Sequence, residues 1–505
     1  MYKLFFLFLF TGSALVCLCQ RSVLKYPFEF AKGAFQMKDY DSYYLNDPVS
    51  QNSMLVLKDN KKVEYLLLDK DMKLVSKFSP ANGLSNTIFD KLTTRIQAEY
   101  IGGTAGDGKF YFAYAIIEGT KPAGIFLETV DPVGKTVSNK ELFDIPKDEK
   151  GIVIFGGYGI FFGITANNDD GEIVLYKLNS SGKTSTKAIK VNIPASSKRK
   201  KLSDYLGQPK VFTADEEPGL ESATEKEKLF YSPNNISIVV NNSDDPTHIL
   251  KINTETFASE EKFVDHSALT KDEKGKSYVN SYSFGDNLYS LVLNKKNIRI
   301  AIYNSSTGDL LKIHEINENT NMATFAQMPI VEERRGKRTD EKSIDDPKKL
   351  IRSLDKGSEA IMMYMDKKNR LVISIGTYDM IPISTGGSSP SYQNVPSTYA
   401  LNSSSTRAGA LYNTTYYTPG KPSYTTYNAN YYKSTNFKLL LDPTTLNLVK
   451  GAAPNSVVDQ IKDYMSTISK KAEAKNQFSV NDKEYFGYYD KEMKTYFIEE
   501  IIIRK

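Results

Sequence analysis

Three histidines, His248, His266 and His314, and two cysteines, Cys17 and Cys19, are the whole imidazole and thiol stock of the chain. No histidine has a second His, Cys or carboxylate at zinc-ligand spacing, so no metal site is assigned. His248 and His314 fall at strand positions and read as ordinary surface or partly buried residues. The run Asn167-Asn168-Asp169-Asp170-Gly171-Glu172 has calcium-loop composition without one-apart ligand spacing, and it lies where a hairpin turn is needed. The pairs Asp244-Asp245 and Asp345-Asp346 stand where turns and helix caps use Asp. No glycine-rich loop follows a strand and opens a helix, so no nucleotide cofactor is expected. No catalytic residue is assigned.

The N-terminus supplies the clearest segment. Lys3 precedes the apolar run Leu4–Phe10, and smaller residues follow up to Gln20. Residues 1–19 read as a secretory signal peptide, too short and wrongly flanked for a membrane span. Cleavage before Gln20 removes both cysteines, which excludes disulfides and thiol catalysis from the mature chain. Lipid attachment at Cys17 or Cys19 is the competing reading, against which stand the bulky Val16 and Leu18 before them. With 65 basic and 60 acidic residues, the net charge of +5 gives no reason to expect nucleic acid.

Chemistry of any kind must be positioned by the elements that follow, and those repeat. The best copy runs Leu288–Leu293, a polar turn, Ile298–Tyr303, the turn Asn304-Ser305-Ser306-Thr307-Gly308, then Leu310–Ile316. Alternation through Ile298-Arg299-Ile300 is strand periodicity, and Asn with Gly supplies tight-turn chemistry. Comparable copies start near Ser53, Phe110, Gly159, Ile236 and Leu371, and a terminal hairpin spans Tyr485–Tyr489 and Thr495–Ile503. Each three-stranded unit is too small to bury its faces alone, so neighbours must stack.

The pattern resembles β-propeller blades in general, over most of the chain. It implies an all-β ring over residues 20–505, six-bladed, or seven-bladed when the terminal hairpin completes a blade of its own. An N-terminal strand such as Phe28–Met37 is expected to complete that blade. A β-solenoid or two β-sandwiches would use the same strands. No named propeller family fits. The chain has no Trp, so WD repeats and the Asp-box turns of propeller sialidases are excluded. Gly102-Gly103 and Gly156-Gly157 resemble kelch glycines without their aromatic partners, and read as turn or close-packing glycines.

Three insertions interrupt the rhythm. Residues 196–228 and 331–357 are highly charged and read as solvated loops. The second should end in a helix capped by Asp346, with Leu350, Ile351 and Leu354 as its apolar stripe. Residues 381–436 are rich in Ser, Thr, Asn, Gly and Tyr and contain no internal hydrophobic pattern beyond Tyr416, Tyr417, Tyr431 and Tyr432, which suit a contact surface. A short C-terminal helix is expected over Ser456–Ala474.

Together these readings lead to an exported, non-catalytic propeller that binds another protein, in the periplasm, at the cell surface or secreted. The bacterial-type leader and Lys-, Asn- and Tyr-rich composition point to a cell-envelope or outer-membrane complex. The alternative is a carbohydrate-active hydrolase with its site on the ring's axial face, for which a glycan would be the partner.

Overall fold

The computed structural model describes residues 21–29, 41–47, 49–58, 62–80, 96–118, 121–157, 160–179, 183–213, 219–220, 222–242, 245–270, 277–321, 330–334, 337–342, 346–354, 357–366, 368–381, 431–457, 460, 464, 468, 472–480 and 483–502. Among these residues the strands form seven small sheets. Strand β1 (Arg21–Pro27) opens the chain. The first sheet takes β2 (Asp41–Asn46), β3 (Ser53–Lys58), β4 (Val63–Leu68) and β5 (Leu74–Phe78). The second takes β6 (Ile96–Gly106), β7 (Lys109–Glu118), β8 (Lys121–Asp131) and β9 (Thr136–Asp144). The third takes β10 (Lys150–Gly157), β11 (Ile160–Asn167), β12 (Glu172–Asn179) and β13 (Thr184–Lys190). In the fourth, β14 (Lys210–Thr213) lies parallel to β15 (Glu227–Ser232), followed by β16 (Asn235–Val240), β17 (Thr247–Asn253) and β18 (Ser259–Val264). The fifth takes β19 (Tyr278–Phe284), β20 (Asn287–Leu293), β21 (Asn297–Asn304) and β22 (Leu310–Asn317).

The sixth sheet uses β23 (Ile330–Arg334), β24 (Lys337–Lys342), β25 (Ser358–Met365), β26 (Leu371–Ile381) and β27 (Tyr431–Leu441), in the order β24-β23-β27-β26-β25. The last joins both ends of the chain. There β28 (Ala472–Val480), β29 (Lys483–Asp490) and β30 (Thr495–Ile501) are completed by β1, antiparallel to β30 from Arg21↔Glu500 to Pro27↔Thr495. Of the expected Phe28–Met37, residues 30–37 lie outside the described residues; the N-terminal strand that completes the final hairpin is Arg21–Pro27. The reason is the two-residue stripe Leu24, Tyr26, Phe28, which is buried while Lys25 and Glu29 point outward.

The core lies between neighbouring sheets. Buried clusters join the closing sheet to the first, the first to the second, and so on to the fifth and sixth. Residues 449–453 pack on the sixth sheet, while Val457, Tyr464 and Ile468 pack on the closing sheet. The first five sheets are each covered on both faces by neighbouring sheets, and the last shares strands from both termini, which makes this protein a β-propeller.

The repeat unit is four-stranded, not three-stranded. The expected copies near Ser53, Phe110, Gly159 and Leu288 correspond to the second, third and fourth strands of their sheets, those near Ile236 and Leu371 to the pairs β16–β17 and β26–β27, and the terminal hairpin to β29–β30; the unit's first strand was missed every time. The turn that follows the unit's third strand repeats closely. Asp131 Oδ1 accepts from the amides of Val133 and Gly134, Asn253 Oδ1 from Glu255 and Thr256, Asn304 Oδ1 from Ser306 and Thr307, and Asp442 Oδ1 from Thr444 and Thr445, all within 2.7–3.0 Å. Four residues after each Asx, the chain turns left-handed at Lys135, Phe257, Gly308 and Leu446. The Asx side chain replaces ladder partners the turn cannot offer.

Where sheets converge, glycine is required. A Cβ on Gly103 would stand 2.6 Å from the Tyr111 carbonyl oxygen and 2.9 Å from Leu45 Cδ2. On Gly156 it would stand 2.7 Å from Phe161 Cδ1. Both paired-glycine motifs therefore serve close packing. Gly103→Ala is expected to destabilise the protein by about 2–3 kcal/mol, because backbone cannot move aside as a side chain can. Chemical denaturation checks this; an unchanged midpoint would refute the packing role.

Two insertions are more ordered than their charge implied. In 196–228, Leu202, Tyr205, Leu206, Val211, Phe212 and Leu220 are core residues, and β14 adds an extra strand. The Lys198–Lys201 tip stays exposed. Apolar residues scattered between charges escaped a reading by average composition. In 331–357, the helix Pro347–Leu354 forms as expected, with the Lys348 amide on Asp346 Oδ1 at 2.9 Å and Leu350, Ile351 and Leu354 buried. Residues 331–334 and 337–342, however, lie in strands β23 and β24. The C-terminal helix is shorter than expected, since Ala472 already starts β28.

Candidate functional site

The two late insertions meet in the sixth sheet. β26 and β27 pair without interruption from Leu371↔Leu441 to Ile381↔Tyr431. β23 then pairs with the opening half of β27, from Val331↔Asn436 to Arg334↔Lys433, and β24 pairs on β23. The outer hairpin thus reinforces the end of the sheet from which residues 382–430 depart. Tyr431 and Tyr432 open β27, opposite Ile381 and Met380. Tyr416 and Tyr417 lie outside the described residues, so the structure brings together only the second pair.

Two buried polar centres were not foreseen. Asn280 in β19 is fully buried, and its Nδ2 donates to the carbonyls of Ala223 (3.1 Å), Thr224 (3.2 Å) and Glu359 (2.7 Å). Its Oδ1 accepts from the Lys228 ammonium, which also donates to the Glu225 carbonyl at 2.5 Å. Beside them Lys226 pairs with Glu359 and donates to the Val279 carbonyl at 2.9 Å. Burial lowers Lys228 to about 7, reinforced by the Lys226 charge and opposed by Glu225, Glu359 and Glu227. This centre joins the fourth, fifth and sixth sheets. The signal in the sequence was the Asn280-Ser281 pair inside a strand, where polar residues need partners.

The second centre is Glu128 in β8, fully buried among Tyr43, Tyr65, Tyr100 and Tyr114 of the first and second sheets. Tyr65 donates to its Oε1 at 3.0 Å. Desolvation raises Glu128 to about 7, against the opposing pull of Tyr65, Lys58 and Tyr114. A lone Glu inside the apolar run Ile125–Val130 was its only trace in the sequence. Among the described residues no other carboxyl is raised, and those that shift, Asp204, Glu261, Glu315, Asp366 and Asp442, shift down.

All three histidines are buried, so His248 and His314, expected at the surface or partly buried, lie deeper than that. His248 stacks on Phe263 at 4.5 Å and lies 3.4 Å from Glu261. His266 bridges Thr247 (2.9 Å) and Tyr303 (3.1 Å), and burial lowers it to about 4. His314 contacts the Leu446 carbonyl at 2.8 Å and is likewise lowered by burial. These rings fill gaps between sheets. The Asn167 turn is a hairpin turn, its Oδ1 accepting from Asp169 and Asp170, and among the described residues no three His, Cys, Asp or Glu converge on a metal position.

No family model matches the chain, and no curated protein does. Similar solved structures include a neuraminidase-like protein of A/flat-faced bat/Peru/033/2010, at 10% identity and TM-score 0.26 over 86% of this chain and 98% of that one. A Synechocystis apocarotenoid oxygenase mutant gives 9% identity and TM-score 0.26, with 56% of this chain covering 63% of it. A prolyl endopeptidase gives 9% and 0.26, with 64% of this chain covering 37% of it. Likeness this distant carries no argument about activity; the fold rests on strand order and register.

Proposed function

We propose that this chain is an exported, non-catalytic protein-binding propeller, a subunit or accessory of a bacterial cell-envelope complex, whose seven sheets close as seven blades. The observation that carries the reading is the convergence of two insertions on one sheet end. The sixth sheet's own consecutive strands, β25 to β27, number three, and its fourth place and a fifth strand are filled from the preceding connection. Here a hairpin drawn from the preceding connection stiffens the stem of a segment without acidic residues and rich in tyrosine, which is how a rigid scaffold presents a contact surface. Leader cleavage before Gln20 leaves β1 whole from Arg21, so export and ring closure are compatible. Among the described residues no helix is long and apolar enough to cross a membrane. A hydrolase would need two carboxyls facing one cleft; the one raised carboxyl, Glu128, is fully buried.

Replacing residues 382–430 with a short Gly-Ser linker tests the proposal, because the β26–β27 ladder keeps its register without them. The variant should melt within about 2 °C of the parent, a surface-loop change being worth only about 0.5 kcal/mol. Affinity purification from native envelopes should then lose one stoichiometric protein partner. An unchanged partner list with intact folding would sink the role given to this segment.

A further inference from the structure

We propose that Glu128 is a proton-operated fastener between the first and second sheets: protonated, it sits quietly in its tyrosine cage, and ionised, it loosens the contact around β4 and β8.

The geometry suits a neutral acid. The side chain is completely buried, and its sole hydrogen bond comes from Tyr65, which belongs to the other sheet. A carboxylate offers about four acceptor positions and in a buried site normally takes two or three donors. Here Oε2 is buried with no hydrogen-bond partner, and the Tyr114 hydroxyl, near enough to pull on the carboxyl but outside bonding geometry, is also buried without one. Protonated, the carboxyl carries no charge for these neutral hydroxyls to offset. Ionised, a full buried charge rests on the neutral hydroxyls of Tyr65 and Tyr114 alone, short of the donors such a site normally takes.

The surroundings offer little compensation. From β2 comes Tyr43, which bonds to Asp41; from β6, Tyr100; from β7, Tyr114, with Phe112 directly opposite Glu128; from β9, Asn139 opposite on the other side. The rings pack together, Tyr43 on Tyr100 at 4.6 Å and edge-on to Tyr114 at 6.0 Å. Burial holds Tyr43, Tyr65 and Tyr114 far above their ordinary range, so they remain neutral while Glu128 titrates. The single cation acting on Glu128 among the described residues is Lys58, at the end of β3, and its pull is weaker than desolvation.

The sign follows from proton binding. Glu128 rises from 4.5 to about 7 on folding, so between those values the native state holds a proton that the unfolded state has released. Stability is therefore full below about 4.5 and falls tenfold in equilibrium constant per pH unit until about 7, then levels off. The whole change is on the order of a few hundred-fold.

Denaturant titrations of the full chain at closely spaced pH values test this, comparing wild type with Glu128→Gln, which keeps the shape and cannot ionise. The difference between the two profiles should span a few hundred-fold and be centred in that window. Parallel profiles would overturn the proposal. Tyr65→Phe supplies a second arm if the Gln variant fails to fold: removing the one donor should move the end of the window to higher pH, and an unmoved window would also refute it. Hydrogen exchange, corrected for intrinsic pH dependence, should show protection lost above about pH 7 in β4 and β8 and retained in β20 and β21. Uniform loss across all sheets would rule out a local fastener.

Discussion

Asn280→Ala is expected to destabilise the protein by about 4 kcal/mol, among the largest effects any single side chain here can have. The substitution leaves the carbonyls of Ala223, Thr224 and Glu359 without their shared donor, and the fully buried Lys228 ammonium with only the Glu225 carbonyl as a named acceptor. A buried charge stripped of an acceptor costs more than the bond itself was worth, because desolvation is no longer offset. Lys228→Met should cost less, since it removes the charge together with its need. The two substitutions should therefore combine to less than their sum in a double-mutant cycle, by at least about 1 kcal/mol. Strict additivity in urea denaturation would mean that Asn280 and Lys228 do not act as one unit.

Removal of residues 21–29 should have a still larger effect, amounting to loss of cooperative folding. Leu24, Tyr26 and Phe28 are buried in the cluster joining the closing sheet to the first, and each fully buried side chain of this size contributes about 1.5–3 kcal/mol. The strand also provides the ladder to β30, the bond from Tyr26 to Glu64 at 2.8 Å, and a ring against which Lys62 rests 3.9 Å from the Phe28 centroid. Their sum approaches the entire 5–15 kcal/mol that an ordinary domain has to lose. The truncated chain should unfold broadly and early by near-ultraviolet circular dichroism, for which its many remaining tyrosines are an ample probe. A peptide of residues 21–29 added in excess should restore a sharp transition, because the edge of β30 is left waiting for it. A truncated chain that melts like the parent would show that β1 is ornamental to closure.

How far the sequence led can be followed strand by strand. Middle strands such as β20 and β21 were legible because both faces are buried and their bounding turns are built locally: Asn304 folds its own turn through its own side chain. Outer strands such as β9 and β13 were legible from their turns although mostly exposed. The helix at Pro347–Leu354 was legible because cap and stripe lie within eight residues. Among the expected site residues, Tyr431 and Tyr432 fall at the sheet end from which the insertion departs, whereas nothing local announced Glu128 or Asn280.

What the sequence determined by itself was the all-β repeat and the Asx-led corners that separate its strands, since these depend on contacts a few residues apart. Only the tertiary structure decided the innermost strands, where Gly103, Asn280 and Gln477 occupy positions that lack the usual apolar alternation. Sheets that converge leave room for glycine and hold polar groups whose partners come from another sheet, 52 and 133 residues away in the cases of Lys228–Asn280 and Lys226–Glu359. The joining of residue 21 to residue 500, and of 331 to 436, was decided the same way. Backbone pairing over such separations leaves no mark in either partner's own neighbourhood, because every strand edge offers the same amides and carbonyls.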